Sequence, residues 1–235
     1  MAARPGHPVA VVAHRGDPYV HRENTLPSVR SALDRGADVV EVDVRLTRDG
    51  VPVLLHDPTL ERLWGVAAPV ASLAYQEVAE ATGGGVPSFA DALAELLRRP
   101  GPARMLIDLT EAAQAPAAVA AVREAGAADR VYYCGKLSAM REVRALEPAA
   151  EVAMTWTTSA RPAGTLLDGL APRWLNLRFG LADPATVAWA HDRGLLVAAW
   201  TADRRRSMAR LVAAGVDAIT TNRPEVLLRL RGRTG

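Results

Sequence analysis

Side chains suited to acid–base and metal chemistry are concentrated near the N-terminal end of the sequence. His14 and Arg15 follow a first apolar run, Glu41 and Asp43 interrupt a second, and His56 ends a third. Because side chains alternate between the two faces of a β-strand, Glu41 and Asp43 must share one face. Burying a carboxylate pair is costly unless a positive charge lies between its members. The pair therefore predicts a site for a divalent cation with oxygen ligands, Mg²⁺ or Ca²⁺.

A further carboxylate and an alternative interpretation bear on this metal site. Asp108 lies at the end of a later apolar run and is a candidate third ligand. The structural alternative is that Glu41 and Asp43 pair with Arg15 and Arg45 in a network of salt bridges. Both interpretations are open at the level of the sequence.

His14 and His56 form a candidate pair of proton-transfer groups. Both follow strand-like runs, and imidazole titrates close to neutral pH. Two imidazoles that flank one metal-bound group can divide the roles of general base and general acid. Their position beside paired carboxylates therefore indicates an enzyme site.

The elements that carry these residues alternate between strand and helix. Runs rich in Val, Leu and Ile indicate strands, and Ala-rich segments of helical period indicate helices. Strict alternation implies parallel strands, and about eight such units favour a closed (β/α)8 TIM barrel over the alternative, an open doubly wound sheet. No G-x-G-x-x-G turn follows the first strand to favour the open sheet. The predicted strands are 9–13, 38–45, 51–56, 104–109, 130–134, 151–156, 173–178, 195–200 and 216–221, and the predicted helices are 25–35, 72–81, 88–99, 115–126, 137–146, 184–193, 203–214 and 224–230.

One connection is too short for a parallel crossover. Only a few residues around Asp49 and Gly50 separate the second predicted strand from the third. This spacing predicts an antiparallel hairpin over 38–56 with a glycine-assisted turn. The hairpin would return His56 to within a pair or two of Glu41.

The stretch that follows the hairpin, 57–87, is an irregular insertion. It contains several prolines, a run of three glycines and one helical piece near 72–81. A connection of this length is either functional, covering the site, or a solvated surface insertion.

Composition limits the classes of protein to which the chain can belong. The 235 residues are 49% hydrophobic with a net charge of +2, so a large core is expected and no nucleic-acid partner is indicated. Cys134 is the single cysteine, which excludes an intramolecular disulfide and favours a reducing, cytoplasmic compartment. No apolar run approaches the roughly 20 residues that span a bilayer. We expect one domain over 1–235 without stable membrane association, and the oligomeric state is open.

Motifs of fixed order and spacing extend over nearly the whole chain. They are His14-Arg15-Gly16, Glu23-Asn24-Thr25, Glu41-x-Asp43-Val44-x-x-Thr47-x-Asp49-Gly50-x-Pro52-Val53-x-x-His56-Asp57, Trp200-Thr201 and Gly215-Val216-Asp217-Ala218-Ile219-Thr220-Thr221-Asn222-x-Pro224. Together they closely resemble the signature of glycerophosphodiester phosphodiesterases. That family is a (β/α)8 barrel with a hydrolytic, divalent-metal site, which agrees with the fold predicted from the alternation of elements.

The resemblance implies a set of metal and phosphate ligands. Glu41 and Asp43 would bind one Mg²⁺ or Ca²⁺ ion, with Asp108 where the family has a third acidic ligand. The ion would hold a nonbridging phosphate oxygen and stabilise the charge that develops as phosphorus is attacked. Arg15 would add a forked contact to the same phosphate, which makes it both a catalytic and a substrate-binding residue.

The resemblance also implies roles in proton transfer and substrate contact. His14 and His56 would serve as base and acid, one activating the nucleophile and the other protonating the departing alkoxide. Trp200 would form an apolar wall against the alcohol portion of the substrate. Asn222 is either a substrate contact or a cap for the helix that begins at Pro224.

This chain departs from the family pattern in one motif. The family's fourth-strand motif is Glu-x-Lys, whereas this chain has Asp108 and Thr110 at those positions. The carboxylate is one methylene shorter, and an uncharged residue replaces the phosphate-facing lysine. Lys136 and Arg178 both follow predicted strands, and our hypothesis is that one of them restores the missing charge.

The activity implied by the resemblance belongs to lipid metabolism. It is the hydrolysis of a small-molecule glycerophosphodiester to glycerol 3-phosphate and an alcohol. One alternative keeps the site but changes the substrate to another phosphorylated or lipid-like molecule, in a lyase or a biosynthetic enzyme. The other is a phosphate-binding relative without turnover. Direct attack by water and attack by a glycerol hydroxyl to give a cyclic phosphate both fit the sequence.

Overall fold

The computed structural model describes residues 8–232, and its centre is a nearly closed barrel of parallel strands. The strands are β1 (Ala10–His14), β2 (Val39–Leu46), β3 (Pro52–Leu54), β4 (Arg104–Leu109), β5 (Val131–Gly135), β6 (Ala153–Trp156), β7 (Trp174–Arg178), β8 (Leu196–Trp200) and β9 (Ala218–Thr221). The parallel order is β5-β4-β2-β1-β9-β8-β7-β6, and β3 pairs antiparallel with β2 outside it. A parallel bridge between Tyr133 and Val152 joins β5 to β6. The predicted barrel is confirmed, and the open sheet is excluded.

Helices follow the strands and pack on the outside of the barrel. They are α1 (Leu26–Asp34), α2 (Glu61–Trp64), α3 (Tyr75–Thr82), α4 (Phe89–Leu97), α5 (Ala115–Glu124), α6 (Leu137–Leu146), α7 (Gly164–Leu170), α8 (Pro184–His191), α9 (Arg205–Ala214) and α10 (Pro224–Arg231). The sequence does not predict α7, because Gly164 and Gly169 lower its helix propensity. Within residues 8–232, none of the helices has the length and apolar character of a membrane span.

The alternation of side chains along β2 decides which of them reach the barrel interior. Val40 and Val42 belong to the outer core, between the sheet and the helices. Val39 belongs to a separate inner core. Because side chains two apart share a face, Glu41 and Asp43 continue the inner face of Val39 toward the C-terminal end of the strand. The same period that buries the valines therefore turns both carboxylates inward.

The predicted hairpin is present, with a third strand shorter than expected. Gly50 occupies the turn with φ of 79°, a left-handed conformation that favours glycine. The backbone N–H of Leu55 donates to the carbonyl oxygen of Asp43 at 3.0 Å. The strand register then returns His56 to within one pair of Glu41, as the length of the connection predicts.

The insertion 57–87 folds against the hairpin rather than extending into solvent. Its helix α3 corresponds to the helical piece predicted near 72–81. A buried cluster joins the two segments and consists of Val53, Leu55, Leu60, Val70, Val78 and Val86. The insertion is therefore anchored to the strand that precedes His56.

Candidate active site

A pocket of about 310 Å³ opens at the C-terminal ends of the barrel strands. In (β/α)8 barrels this end carries the loops that form active sites. The pocket brings together the site residues predicted from the sequence except Lys136, Arg178 and Asn222. Those that line it are His14, Arg15, Glu41, Asp43, His56, Asp108 and Trp200.

Three carboxylates from the neighbouring strands β2 and β4 meet in this pocket. One oxygen atom from each of Glu41, Asp43 and Asp108 lies within 4.8 Å of the others. Asp108 Oδ1 is buried without a hydrogen-bond partner in the described part of the chain. Burial and the charge of Asp43 raise the pKa of Glu41 well above its usual range, and they raise the pKa of Asp108 to about 6. A cluster of carboxylate oxygens, one of which has no hydrogen-bond partner, suits a hard divalent cation.

Gly135, at the end of β5, leaves the space that the Asp108 carboxylate occupies. Its φ is 128°, a conformation that L-residues with a side chain rarely adopt. A Cβ atom at this position would lie 2.0 Å from the carbonyl oxygen of Leu109 and 2.7 Å from Asp108 Oδ1. Both distances are far inside van der Waals contact, so this carboxylate position requires glycine at 135.

Arg15 joins the carboxylates of β2 to the loop that follows β1. Its backbone N–H donates to Glu41 Oε2 at 2.9 Å, and its Nη1 donates to Glu23 Oε1 at 2.9 Å. Its Nε lies 3.2 Å from Asp43 Oδ2 as an ion pair. Burial opposes the charge of Arg15, but Asp43, Glu41 and Glu23 together outweigh that effect and raise its pKa. The arginine is therefore held charged beside the carboxylates.

Arg45 lies near the same carboxylates but pairs with neither Glu41 nor Asp43. It donates to the carbonyl oxygen of His56 from Nε at 3.1 Å and from Nη2 at 2.6 Å. The salt-bridge alternative is thus present in part, because Arg15 does pair with Asp43. The expected role of Arg45 in it is wrong, since the hairpin directs its guanidinium to the main chain at His56.

Asn24 positions Asp43 from the loop between β1 and α1. Its Nδ2 donates to Asp43 Oδ2 at 2.7 Å, and its Oδ1 accepts from the backbone N–H of Asp43 at 3.2 Å. Asn24 has φ of 55°, and strained backbone of this kind is often found at functional sites. This role of Asn24 is not predicted from the sequence, although the residue lies inside a matching motif.

His14 is oriented by residues close to the opposite end of the chain. Its Nδ1 lies 2.7 Å from Asn222 Oδ1, while Asn222 Nδ2 donates to Asp203 Oδ2 at 2.8 Å. An amide oxygen only accepts, so Nδ1 carries the proton and Nε2 has a free lone pair. That Nε2 lies 4.0 Å from Glu41 Oε2. Burial and the charge of Arg15 lower the pKa of His14.

The helix-cap interpretation of Asn222 is wrong. The N-cap position of α10 is Arg223, and the Asn222 amide is used by His14 and Asp203 instead. Sequence reasoning missed Asp203 altogether. The available signal was its position, because it closely follows β8 at the catalytic end of the barrel.

His56 is oriented by a charge network that reaches into the insertion. Its Nδ1 lies 2.7 Å from Asp57 Oδ1. Arg62 of α2 donates Nε to Asp57 Oδ2 at 2.5 Å and Nη2 to Glu23 Oε1 at 2.6 Å. The hydrogen bond from Arg62, aided by the one from His56, lowers the pKa of Asp57 to about 2. An ionised Asp57 only accepts, so His56 Nδ1 carries the proton.

Thr110, Lys136 and Arg178 differ in whether they line the pocket. Thr110 lines the pocket where the resemblance leads us to expect a lysine. Lys136 is exposed just before α6 and does not line it. Arg178 is exposed at the end of β7 and lines an open groove that shares Trp200 with the pocket.

The fold and the site together define a barrel enzyme with acidic and imidazole groups at its catalytic face. The model of the Glycerophosphoryl diester phosphodiesterase family matches residues 14–226. The chain therefore belongs to the glycerophosphoryl diester phosphodiesterase family, and the resemblance noted in its motifs is confirmed. It is an enzyme of the phosphodiesterase class.

Individual relatives match over nearly their whole length. A glycerophosphodiester phosphodiesterase from Caldanaerobacter subterraneus subsp. tengcongensis is 26% identical, with 96% of this chain and 98% of the relative covered. Among solved structures, a glycerophosphodiester phosphodiesterase from Parabacteroides distasonis gives a TM-score of 0.82 at 24% identity, covering 97% of this chain and 99% of that chain. A phosphodiesterase from Oleispira antarctica in complex with the product sn-glycerol-3-phosphate gives 0.84 at 23% identity, covering 94% and 96%. Both structures have the fold described for this chain.

Proposed function

We propose that the protein hydrolyses glycerophosphodiesters to glycerol 3-phosphate and an alcohol, with one divalent cation held by three carboxylates. The observation that carries this proposal is the convergence of Glu41, Asp43 and Asp108 oxygens, with Asp108 Oδ1 left unpartnered. The product sn-glycerol-3-phosphate in the Oleispira antarctica structure supports the choice of product. The substrate is a small molecule, and we propose no nucleic-acid partner.

The cation ligands are held in place by their own hydrogen bonds. When bound, Mg²⁺ or Ca²⁺ would supply Lewis-acid stabilisation of the negative charge on the phosphate oxygens. Asn24 Nδ2 holds Asp43 Oδ2, and the backbone N–H of Arg15 holds Glu41 Oε2. Such contacts fix ligand orientation before the ion binds, which lowers the cost of ordering the site.

Arg15 is the proposed phosphate contact. Glu23 and Asp43 use two positions of its guanidinium and keep it in a single orientation. Its remaining N–H groups suit the oxygens of a phosphodiester, since a charged planar donor fork binds phosphate strongly.

His14 and His56 are the proposed proton-transfer groups. Asn222 and Asp57 engage their Nδ1 atoms, which leaves Nε2 of each ring for chemistry in the pocket. One histidine withdraws the proton of the nucleophile, and the other protonates the departing alkoxide. Water and a glycerol hydroxyl both remain candidate nucleophiles.

Trp200 and Arg178 are proposed to contact the substrate outside the reacting phosphate. Trp200 borders both the pocket and the adjoining groove, which supports its role as an apolar wall for the alcohol. Arg178 is better placed than Lys136 to replace the charge absent at Thr110, because it lines that groove. We retain Lys136 as the weaker candidate.

The test is release of glycerol 3-phosphate from several glycerophosphodiesters with Mg²⁺, Ca²⁺, Mn²⁺ or EDTA. We expect metal-dependent release that falls at least about 100-fold in His14→Ala and Glu41→Ala. His21→Ala and Glu124→Ala, both at exposed positions outside the pocket, are the matched controls and should keep full activity. Release that persists in EDTA would overturn the metal site. Substrate binding without release in any metal would overturn hydrolysis in favour of a phosphate-binding role.

We also propose a cytoplasmic setting and a single domain over 1–235. Cys134 is the single cysteine and is buried without a disulfide partner, which supports a reducing compartment. Fractionation of cells should recover the protein with cytoplasmic markers. A single urea unfolding transition with coincident probes would support one domain.

A further inference from the structure

Exposed apolar side chains lie at the catalytic end of the barrel. Among the described residues, the large exposed ones include Tyr19 at 70%, Val20 at 53% and Phe179 at 39%. Tyr19 and Val20 belong to the loop between β1 and α1, and Phe179 follows β7. The others, Leu97 and Leu146, end α4 and α6 at the opposite end of the barrel. The catalytic end therefore carries the aromatic tips.

Exposed arginines lie on the same arc. Arg204 precedes α9, Arg205 and Arg206 open its first turn, and none of the three has a carboxylate partner within residues 8–232. Arg223, after β9, lies 5.8 Å from the ring centre of Tyr19. Strands β7, β8, β9 and β1 are successive neighbours, so their loops form a continuous arc. We call this arc the arginine rim, and its members are Tyr19, Val20, Phe179, Arg204, Arg205, Arg206 and Arg223.

Carboxylates near the arginine rim have other partners and leave most of its charge uncompensated. Asp203 accepts from Asn222 and so faces the active site. Asp183 caps α8 through the backbone of Thr186. Glu225 lies 3.6 Å from Arg223, which is the one rim arginine with a carboxylate partner in the described chain.

The stability of the fold gives no reason for this arrangement. Cations in the first turn of a helix oppose its dipole, and α9 has no acidic residue there to compensate. Tyr19 and Val20 are adjacent exposed apolar side chains, and such a pair beside arginines is likewise more typical of a binding surface than of a free one. Arginines suit an anionic surface layer, and aromatic and aliphatic side chains beside them suit an apolar layer beneath it.

We propose that the arginine rim docks reversibly on an anionic lipid surface. Tyr19, Val20 and Phe179 insert at headgroup level, and the arginines contact lipid phosphates. A nucleic acid would engage the arginines but has no use for the aliphatic tip of Val20. Phe179 also lines the groove that shares Trp200 with the catalytic pocket, so docking turns the pocket toward the lipid. The contact is reversible because it buries little apolar area compared with an acyl anchor or a spanning helix.

Vesicle binding tests this proposal without reference to hydrolysis. The full-length protein in EDTA is sedimented with vesicles of phosphatidylcholine alone or mixed with phosphatidylglycerol, at low and high salt. We expect binding to the anionic vesicles only, weakened by salt. Equal binding to neutral vesicles, or none to anionic ones, would overturn the proposal.

Two double variants separate the charged and apolar parts of the rim. Arg205→Gln/Arg206→Gln should lower the partition coefficient about tenfold or more, and Tyr19→Ser/Phe179→Ser should lower it about fivefold or more. The matched controls are Leu97→Ser/Leu146→Ser and Arg141→Gln, which should bind as the wild type. Loss in the arginine variant with no loss in the apolar variant would reduce the contact to polyanion binding and contradict lipid docking. Turnover of a soluble glycerophosphodiester should be unchanged in Arg205→Gln/Arg206→Gln, whose two positions lie outside the pocket and its groove.

Discussion

His14 Nδ1 donates a 2.7 Å hydrogen bond to Asn222 Oδ1 across 208 positions of the chain. Asp203 accepts from the other side of the Asn222 amide at 2.8 Å, so the amide has one orientation. The contact fixes both the ring plane and the tautomer of His14, and it leaves Nε2 as the atom available for proton transfer. Asn222 is therefore a positioning residue for the proposed chemistry.

Removal of this contact should reduce turnover more than substrate binding. In Asn222→Leu we expect kcat to fall about tenfold or more with KM nearly unchanged, because His14 loses its fixed tautomer. The double variant Asn222→Asp/Asp203→Asn exchanges the two groups but keeps an acceptor for Nδ1, so it should recover part of the loss. Steady-state kinetics measure both values. Wild-type kcat in Asn222→Leu would contradict the positioning role.

Local periodicity explains how much of the site could be predicted from the sequence. Period-2 alternation turns Glu41 and Asp43 inward because the intervening valine must face the helices. The short connection around Gly50 permits only a hairpin, and this returns His56 to the carboxylates. Both inferences depend on contacts among chain neighbours, and both agree with the structure.

Contacts between distant segments could not be predicted in this way. Arg62 reaches Glu23, 39 positions away, only because α2 packs on the hairpin, and no motif encodes that packing. The partnership of Asn222 with His14 requires the barrel to close between β9 and β1. Contacts that form only when the barrel closes or when separate elements pack together leave no periodic pattern in the sequence.

The acidic cluster predicts opposite effects of Asp108→Asn with and without a cation. At pH 8 in EDTA, we expect the variant to be about 1 kcal/mol more stable, because it removes a buried carboxylate charge that burial and Asp43 disfavour and whose pKa they raise to about 6. Saturating Mg²⁺ or Ca²⁺ should stabilise the wild type by RT ln(1 + [L]/Kd) and the variant far less. Thermal unfolding in both conditions measures this, with the exposed Asp192→Asn as control. A variant that is stabilised by the cation as strongly as the wild type would remove Asp108 from the ligand set.

Gly135→Ala should destabilise the protein and disrupt the metal site together. The new Cβ would lie 2.0 Å from Leu109 O and 2.7 Å from Asp108 Oδ1, so the strand end must shift. We expect a loss of about 3 kcal/mol or more in the free energy of unfolding. Gly126→Ala is the matched control, because Gly126 also has positive φ, 64°, but meets nothing within 4 Å. It should lose roughly 1 kcal/mol from backbone strain alone. Similar losses in the two variants would show that the crowding at Asp108 is unimportant.

The Asp57–Arg62 pair should stabilise the protein above about pH 4 and not below pH 2. Its hydrogen bonds lower the pKa of Asp57 from 3.8 to about 2, so its contribution is complete above the unfolded value and lost as pH falls through the folded one. Allowing for solvent screening, Asp57→Asn should cost about 1 kcal/mol at pH 7 and progressively less below pH 4. Urea unfolding across this pH range measures the difference. The exposed Asp168→Asn should show no such trend, and a difference for Asp57→Asn that persists at pH 2 would exclude this ionic origin.

A positive charge at the edge of the pocket should compensate for Thr110. Arg178 lines the groove that shares Trp200 with the pocket, whereas Lys136 does not line either. Arg178→Ala should therefore raise KM about threefold or more with little change in kcat, and Lys136→Ala should raise KM less. Thr110→Lys, which introduces the lysine expected from the family motif, should lower KM and reduce the effect of Arg178→Ala in the double variant. Additive effects on KM would mean that the two positions contact different parts of the substrate. No change in KM for either Arg178→Ala or Lys136→Ala would leave the missing charge at Thr110 without a replacement.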